Sequence, residues 1–157
     1  SDFSQFLKQA EIDVLGVDKD GNVYAIDVAF HEGGLGYGKK VDARDCVMKK
    51  FVRSYMIMLG CFPRKKCTVI FASPKVDAAK QDLIMPALEE LQADARFKDK
   101  RITFEYIAND KFKAEILDQT IEASRDDADT NELFLRSYKL ISMPYTKPKR
   151  GKRKADH

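Results

Sequence analysis

Glu11, Asp13, Asp27 and His31 are the residues whose types and spacing could do chemistry, because strand alternation would gather acids from two neighbouring segments on one side of a sheet. The chain alternates from Glu11, turns at Asp18 to Asn22, and alternates again from Val23 to His31, with Asp20-Gly21 supplying the turn of a β-hairpin. Glu11 and Asp13 then share one face, opposite Ile12 and Val14. On the second strand Tyr24, Ile26, Val28 and Phe30 make an apolar face, and Asp27, Ala29 and His31 lie on the other. Pairing across the turn brings Asp13 towards Asp27. Two carboxylates in a half-buried cleft repel unless a cation or a proton joins them. Mg²⁺, or Mn²⁺ in its place, suits such a pair, since it takes one or two carboxylates and keeps water for phosphate chemistry. The plainer alternative has both aspartates facing solvent on an edge hairpin.

The elements that must position these groups can be read along the chain. Gly33, Gly34, Gly36 and Gly38 form a loop ending at Lys39 and Lys40. The GGLGYGK stretch lacks the ending and spacing of a phosphate-binding Walker loop, so a mobile lip beside the carboxylates is expected, with Tyr37 able to stack on a base; a simple surface loop is the alternative. A helix begins near Asp42 or Asp45, carries Val47, Met48, Phe51, Val52, Tyr55, Met56 and Leu59 at helical spacing, and stops at Gly60. Cys67 to Ala72, closed by Ser73-Pro74, suits a buried parallel strand. A helix from about Asp77 to Ala95 holds Pro86, which should kink or divide it. Ile102 to Ile107 reads as a strand, Asp110 to Ile121 as a helix, and Asp129 with Glu132 opens a last helix through Ile141. Asp18, Asp20 and Asn22 make a plain turn, because Gly21 comes too early for an EF-hand calcium loop.

The stretch EIDVLGVDKDGNVYAIDVAFH resembles the D…(D/E)xK hairpin of the PD-(D/E)xK nuclease superfamily, and the order hairpin, helix, strand, helix resembles that family's core over roughly residues 1 to 75. The resemblance implies an α/β fold, a restriction-endonuclease-like mixed β-sheet flanked by helices. It also implies a Mg²⁺-dependent endonuclease acting on DNA, in a restriction, repair or mobile-element setting. Asp13 and Asp27 take the family's two acidic places, and with the carbonyl of Val28 they are the implied metal ligands. The family's lysine, two residues after the second acid, is Ala29 here. Three substitutes offer themselves: Lys39 or Lys40 from the glycine loop, Lys49, Lys50 or Arg53 from the following helix, or His31 as general base. These lysines and Arg53 are also the expected nucleic-acid contacts. An acid on the family's first helix is missing, and Glu11 could compensate or simply be solvated. The contrasting expectation is a catalytically silent nuclease-like domain that binds DNA or a partner protein with Ala29 as it stands.

Composition sets the frame. A chain of 157 residues, 44% apolar and 34% charged, fits one domain with one core. No apolar run approaches the roughly 20 residues that span a bilayer. Residues 1 to 9 lack the pattern of a secretory signal, and the Ser1 start is what a processed chain would have. Cys46, Cys61 and Cys67 read as reduced core thiols, which suits the cytoplasm, with nucleoid or nuclear placement left open. Two histidines and no CxxC pair disfavour zinc. The +3 net charge is uneven: residues 147 to 157 carry six Lys or Arg against one acid, leaving the remainder near −2. The expected layout is a nuclease-like domain over 1 to 143 and a basic, disordered tail over 144 to 157, either as a homodimer or within a larger multidomain enzyme.

Overall fold

The computed structural model describes residues 11–31 and 34–125. Four strands form one mixed sheet in the order β1-β2-β3-β4: β1 (Val14–Val17), β2 (Val23–Val28), β3 (Cys67–Ser73) and β4 (Ile102–Ala108). β1 pairs antiparallel with β2, with Val14 opposite Ile26 and Val17 opposite Val23. β2 to β4 run parallel, joined by α1 (Lys40–Cys61) and α2 (Ala78–Ala93), because a parallel pair needs a crossover long enough to return the chain. The architecture is mixed α/β, a four-stranded mixed sheet flanked by helices.

The hairpin turn is tied by one carboxylate. Asp18 accepts bonds from the N–H groups of Asp20 and Asn22, the Asn22 amide and the Tyr24 hydroxyl, while Gly21 supplies the positive φ of 76° that closes the turn. Those donors, the Asn22 side chain first, hold the Asp18 carboxyl below its ordinary value. This is the plain turn expected there.

Two features of the expected hairpin are corrected. The first strand begins at Val14, not Glu11, so Glu11, Ile12 and Asp13 precede the ladder and have no strand faces. More consequentially, the face of β2 bearing Asp27 is the core face, with Val23, Ala25, Asp27 and Ala29 all buried. Its small Ala25 and Ala29 belong to the main core with Val47, Phe51 and Tyr55 of α1. The opposite side is partly covered too, since Tyr24 and Ile26, like Phe112 and Ile116, pack against a second cluster of Ile70, Ala72 and Ile107. A strand between two neighbours in a parallel-type sheet is buried on both faces, so alternation no longer tells inside from outside. Phe30, expected on the apolar face, lies past the strand end and is 71% exposed.

Helix α1 starts at Lys40, slightly ahead of the expected Asp42 or Asp45, and runs through Gly60, the expected stop, to Cys61. Asp42 sits in its first turn and accepts the Lys39 N–H at 3.2 Å, and Ala43, Val47, Phe51, Ser54, Tyr55 and Met58 make its buried stripe. β3 is parallel to both neighbours, as expected of a central strand. Asp77 caps α2 by accepting the Lys80 N–H at 3.0 Å. Pro86 does not divide α2: it lies on the exposed side, where water can bond the carbonyl left without its helical donor. After β4, a single helical turn (Asp110–Phe112) runs into a π-turn (Lys113–Leu117), replacing the uniform helix expected there. A separate compact unit begins at Asp118 and contains α3 (Asp118–Arg125). The expected helix to Ile141 and the basic tail lie outside the described residues, as do Glu32 and Gly33. Among the described residues no helix is long and apolar enough to cross a membrane.

Candidate functional site

The site forms where β2 ends and α1 passes over it. The last ladder pair sets Val14 opposite Ile26, and Asp13 is the residue just before it in the chain. Val23 and Ala29 donate their N–H groups to Lys66 and Ala72 carbonyls on the β3 side. Alternation therefore turns Val28 towards β1, where its N–H donates to Asp13 Oδ2 at 2.7 Å. The Val28 carbonyl faces that same edge. Asp13 is exposed, whereas Asp27 is only 2% exposed.

A buried carboxylate requires partners. Asp27 has two, both from α1: Lys50 Nζ donates to Oδ1 at 2.9 Å and Ser54 Oγ to Oδ2 at 2.8 Å. The two donors are four residues apart, one turn of helix, and so stand on one face of α1. Lys50 keeps 23% of its side chain exposed and stands between the buried acid and solvent. Burial alone would lower its pKa. The hydrogen bond and charge of Asp27, aided by Tyr37 and Asp13, outweigh burial and hold it above the ordinary lysine value. Lys50 is therefore an ammonium at neutral pH, a cation and hydrogen-bond donor but not a base.

Tyr37 joins the same cluster. Burial pushes its phenol up, the Lys50 charge opposes this, and Cys46, Asp27 and Asp13 reinforce it. Its hydroxyl remains protonated at neutral pH. The ring meets His31 edge-on, with centroids 5.6 Å apart. The loop carrying Tyr37 is pinned rather than a free lip, since Leu35 is buried, its N–H donates to Lys75, and Lys80 Nζ donates to its carbonyl at 2.7 Å.

Of the residues expected to replace the family lysine, Lys50 donates to the Asp27 carboxylate. Lys39 and Lys40 are exposed at the start of α1, Lys49 is exposed beside Lys50, and Arg53 is half-buried one turn on. His31 is exposed and packs on Tyr37, and Glu11 is exposed two residues before Asp13. Ala29 is 2% exposed and sits in the main core. Sequence reasoning missed Ser54. Its signal was a serine in a stripe otherwise made of Val47, Phe51, Tyr55 and Met58, because a hydroxyl placed there must meet a buried acceptor.

Among the described residues no three His, Cys, Asp or Glu side chains converge. The acids at this end of β2 are Asp13 and Asp27, and both Asp27 oxygens already accept, from Lys50 and from Ser54, while Asp13 Oδ2 accepts the Val28 N–H.

No family model, curated protein or solved structure matches this chain.

Proposed function

We propose that this domain is a metal-dependent nuclease of the restriction-endonuclease-like type, cutting phosphodiester bonds in DNA, with Lys50 in the role of the lysine that Ala29 displaces. The observation that carries this reading is the 2.9 Å contact between Lys50 Nζ and Asp27, which returns a cation to the second acid of the motif from a different element. The hairpin, helix and parallel strand in that order support it as well.

Asp13, Asp27 and the Val28 carbonyl are the groups that would hold Mg²⁺ or Mn²⁺. Such an ion supplies Lewis-acid polarisation of a phosphoryl oxygen and acidifies bound water. The protein's own part is electrostatic. Lys50 offers its ammonium to a non-bridging phosphate oxygen and offsets the charge that grows in the transition state. Ser54 keeps the Asp27 carboxylate in one rotamer, and Tyr37 presents a protonated hydroxyl beside it.

The test is cleavage of mixed DNA substrates in Mg²⁺ or Mn²⁺, with thermal melting of the same samples. Wild type should cut and gain melting temperature with metal, and Asp13→Asn should do neither. Stable, folded wild type that neither cuts nor responds to metal would sink the reading. A second reading is a catalytically silent module that binds DNA or protein. It is favoured by the fact that both Asp27 oxygens already have donors. Binding without metal response would support it.

A further inference from the structure

We propose that the open edge of β4 is where a second copy of this chain pairs, joining two sheets through antiparallel β4 strands about a two-fold axis. β4 ends the sheet, and among the described residues no strand lies beyond it. Cys67 donates its N–H to the Arg101 carbonyl, and Asn109 donates its own to the Ser73 carbonyl. Alternation therefore gives Thr103, Glu105 and Ile107 to the β3 ladder and turns the N–H and C=O groups of Phe104 and Tyr106 outward. The strand runs seven residues, ITFEYIA, with no proline, no lysine and no bulge in its register, the devices that keep an edge from pairing. Its one charge, Glu105, accepts a bond from Lys111 at 3.0 Å. The other edge, β1, offers only four residues.

A groove follows this edge. One hollow of about 460 Å³ lies at the strand's start beside Phe97 and Ile102, and another of about 430 Å³ continues past Tyr106, walled by Met85 and Leu88 of α2. Gln92 and Phe104 line both. The Tyr106 hydroxyl is buried without a hydrogen-bond partner among the described residues, and Met85 is 38% exposed. An extended strand fits a groove floored by open backbone groups. Charge selects a copy of this chain as that strand. Lys98, Lys100 and Arg101 outnumber Asp99 before β4, whereas Glu105, Asp110 and Glu115 outnumber Lys111 and Lys113 from its middle onward. Antiparallel pairing with full overlap sets Ile102 opposite the copy's Ala108, Phe104 opposite its Tyr106, and Glu105 opposite its counterpart on the axis. It carries the cationic start of each strand to the acidic far end of the other, with Lys100 towards Asp110, both exposed. Each β4 is then consumed, so assembly closes at two copies.

Sedimentation velocity of the full chain over a concentration series should show monomer passing to dimer, with a dissociation constant on the order of 10 µM for an interface of this modest extent. Lys100→Glu should weaken the dimer about tenfold, and Lys100→Glu/Asp110→Lys should recover it by restoring opposite charges across the axis. A disulfide reads the register. In a Cys61→Ser background, which removes the exposed native thiol, Glu105→Cys treated with oxidised glutathione should give a covalent dimer. Two such residues facing each other across the axis lie about 4.5 Å apart between Cα atoms, within disulfide reach. Thr103→Cys faces Ile107 of the copy and should stay uncrosslinked. A chain that remains monomeric throughout overturns the proposal and leaves the groove to a strand from another protein. A dimer that is indifferent to Lys100→Glu, or that forms no crosslink through Glu105→Cys, overturns it as well, because the copies then meet elsewhere. Cleavage plays no part in these readings, so the dimer stands or falls apart from the nuclease.

Discussion

Lys50 and Asp27 meet at 2.9 Å across 23 residues of sequence, the lysine at the solvent border of α1 and the aspartate buried on β2. The pair is at once the charge balance of the core face and the chemical centre of the proposed site, so its two roles must be separated experimentally.

Lys50→Ala should lower cleavage by about 100-fold. It should also lower stability by about 3 kcal/mol, because Asp27 is left buried without its cation. Lys50→Arg keeps a cation and should recover most of the stability but only part of the activity, since a planar guanidinium does not reproduce a compact ammonium. Urea unfolding and cleavage under saturating Mg²⁺ give the two readings. Full activity in a folded Lys50→Ala protein would remove the lysine from the chemistry.

Ser54→Ala deletes the hydroxyl that donates to Asp27 Oδ2 from a fully buried position. A loss of about 1–3 kcal/mol is expected in denaturant unfolding. A change below a few tenths would mean that Lys50 alone satisfies the carboxylate.

The pH dependence of stability should expose the same pair. Lys50 has a folded pKa above the ordinary 10.5. Its contribution is therefore complete below 10.5, where both folded and unfolded states are protonated, and it is lost as pH rises through the higher folded value. The stability difference between wild type and Lys50→Met should stay constant through neutral pH and shrink in that alkaline range. A difference that grows with pH would contradict the raised value.

Gly38 holds φ at +69°, and a Cβ there would come within 3.2 Å of Asp42 Oδ2, the acceptor of the Lys39 N–H at the start of α1. Gly38→Ala should cost about 1–2 kcal/mol through that strained backbone. The urea midpoint should fall with an unchanged slope. Because Gly38 follows Tyr37, cleavage should fall along with it.

Local pattern fixed a good deal of this protein. The Asp20-Gly21 turn, the span of α1 and the buried run of β3 follow from alternation, helical spacing and turn chemistry, all of which act over a few residues. The register of β1 on β2 was legible for the same reason, since a short hairpin loop sets its own register. What the tertiary structure decided was which side of β2 became the interior. Alternation marks two faces but cannot name the buried one when helices cover one and a packed turn the other. Placing α1 over the Asp27 face buried Ala29, and it selected Lys50 and Ser54 from several polar residues on that helix, because only side chains one turn apart on the facing stripe can reach one carboxylate. Phe30 stayed exposed for a complementary reason. The strand ended before it and, among the described residues, no element covers it, which no count of apolar residues along the chain could foretell.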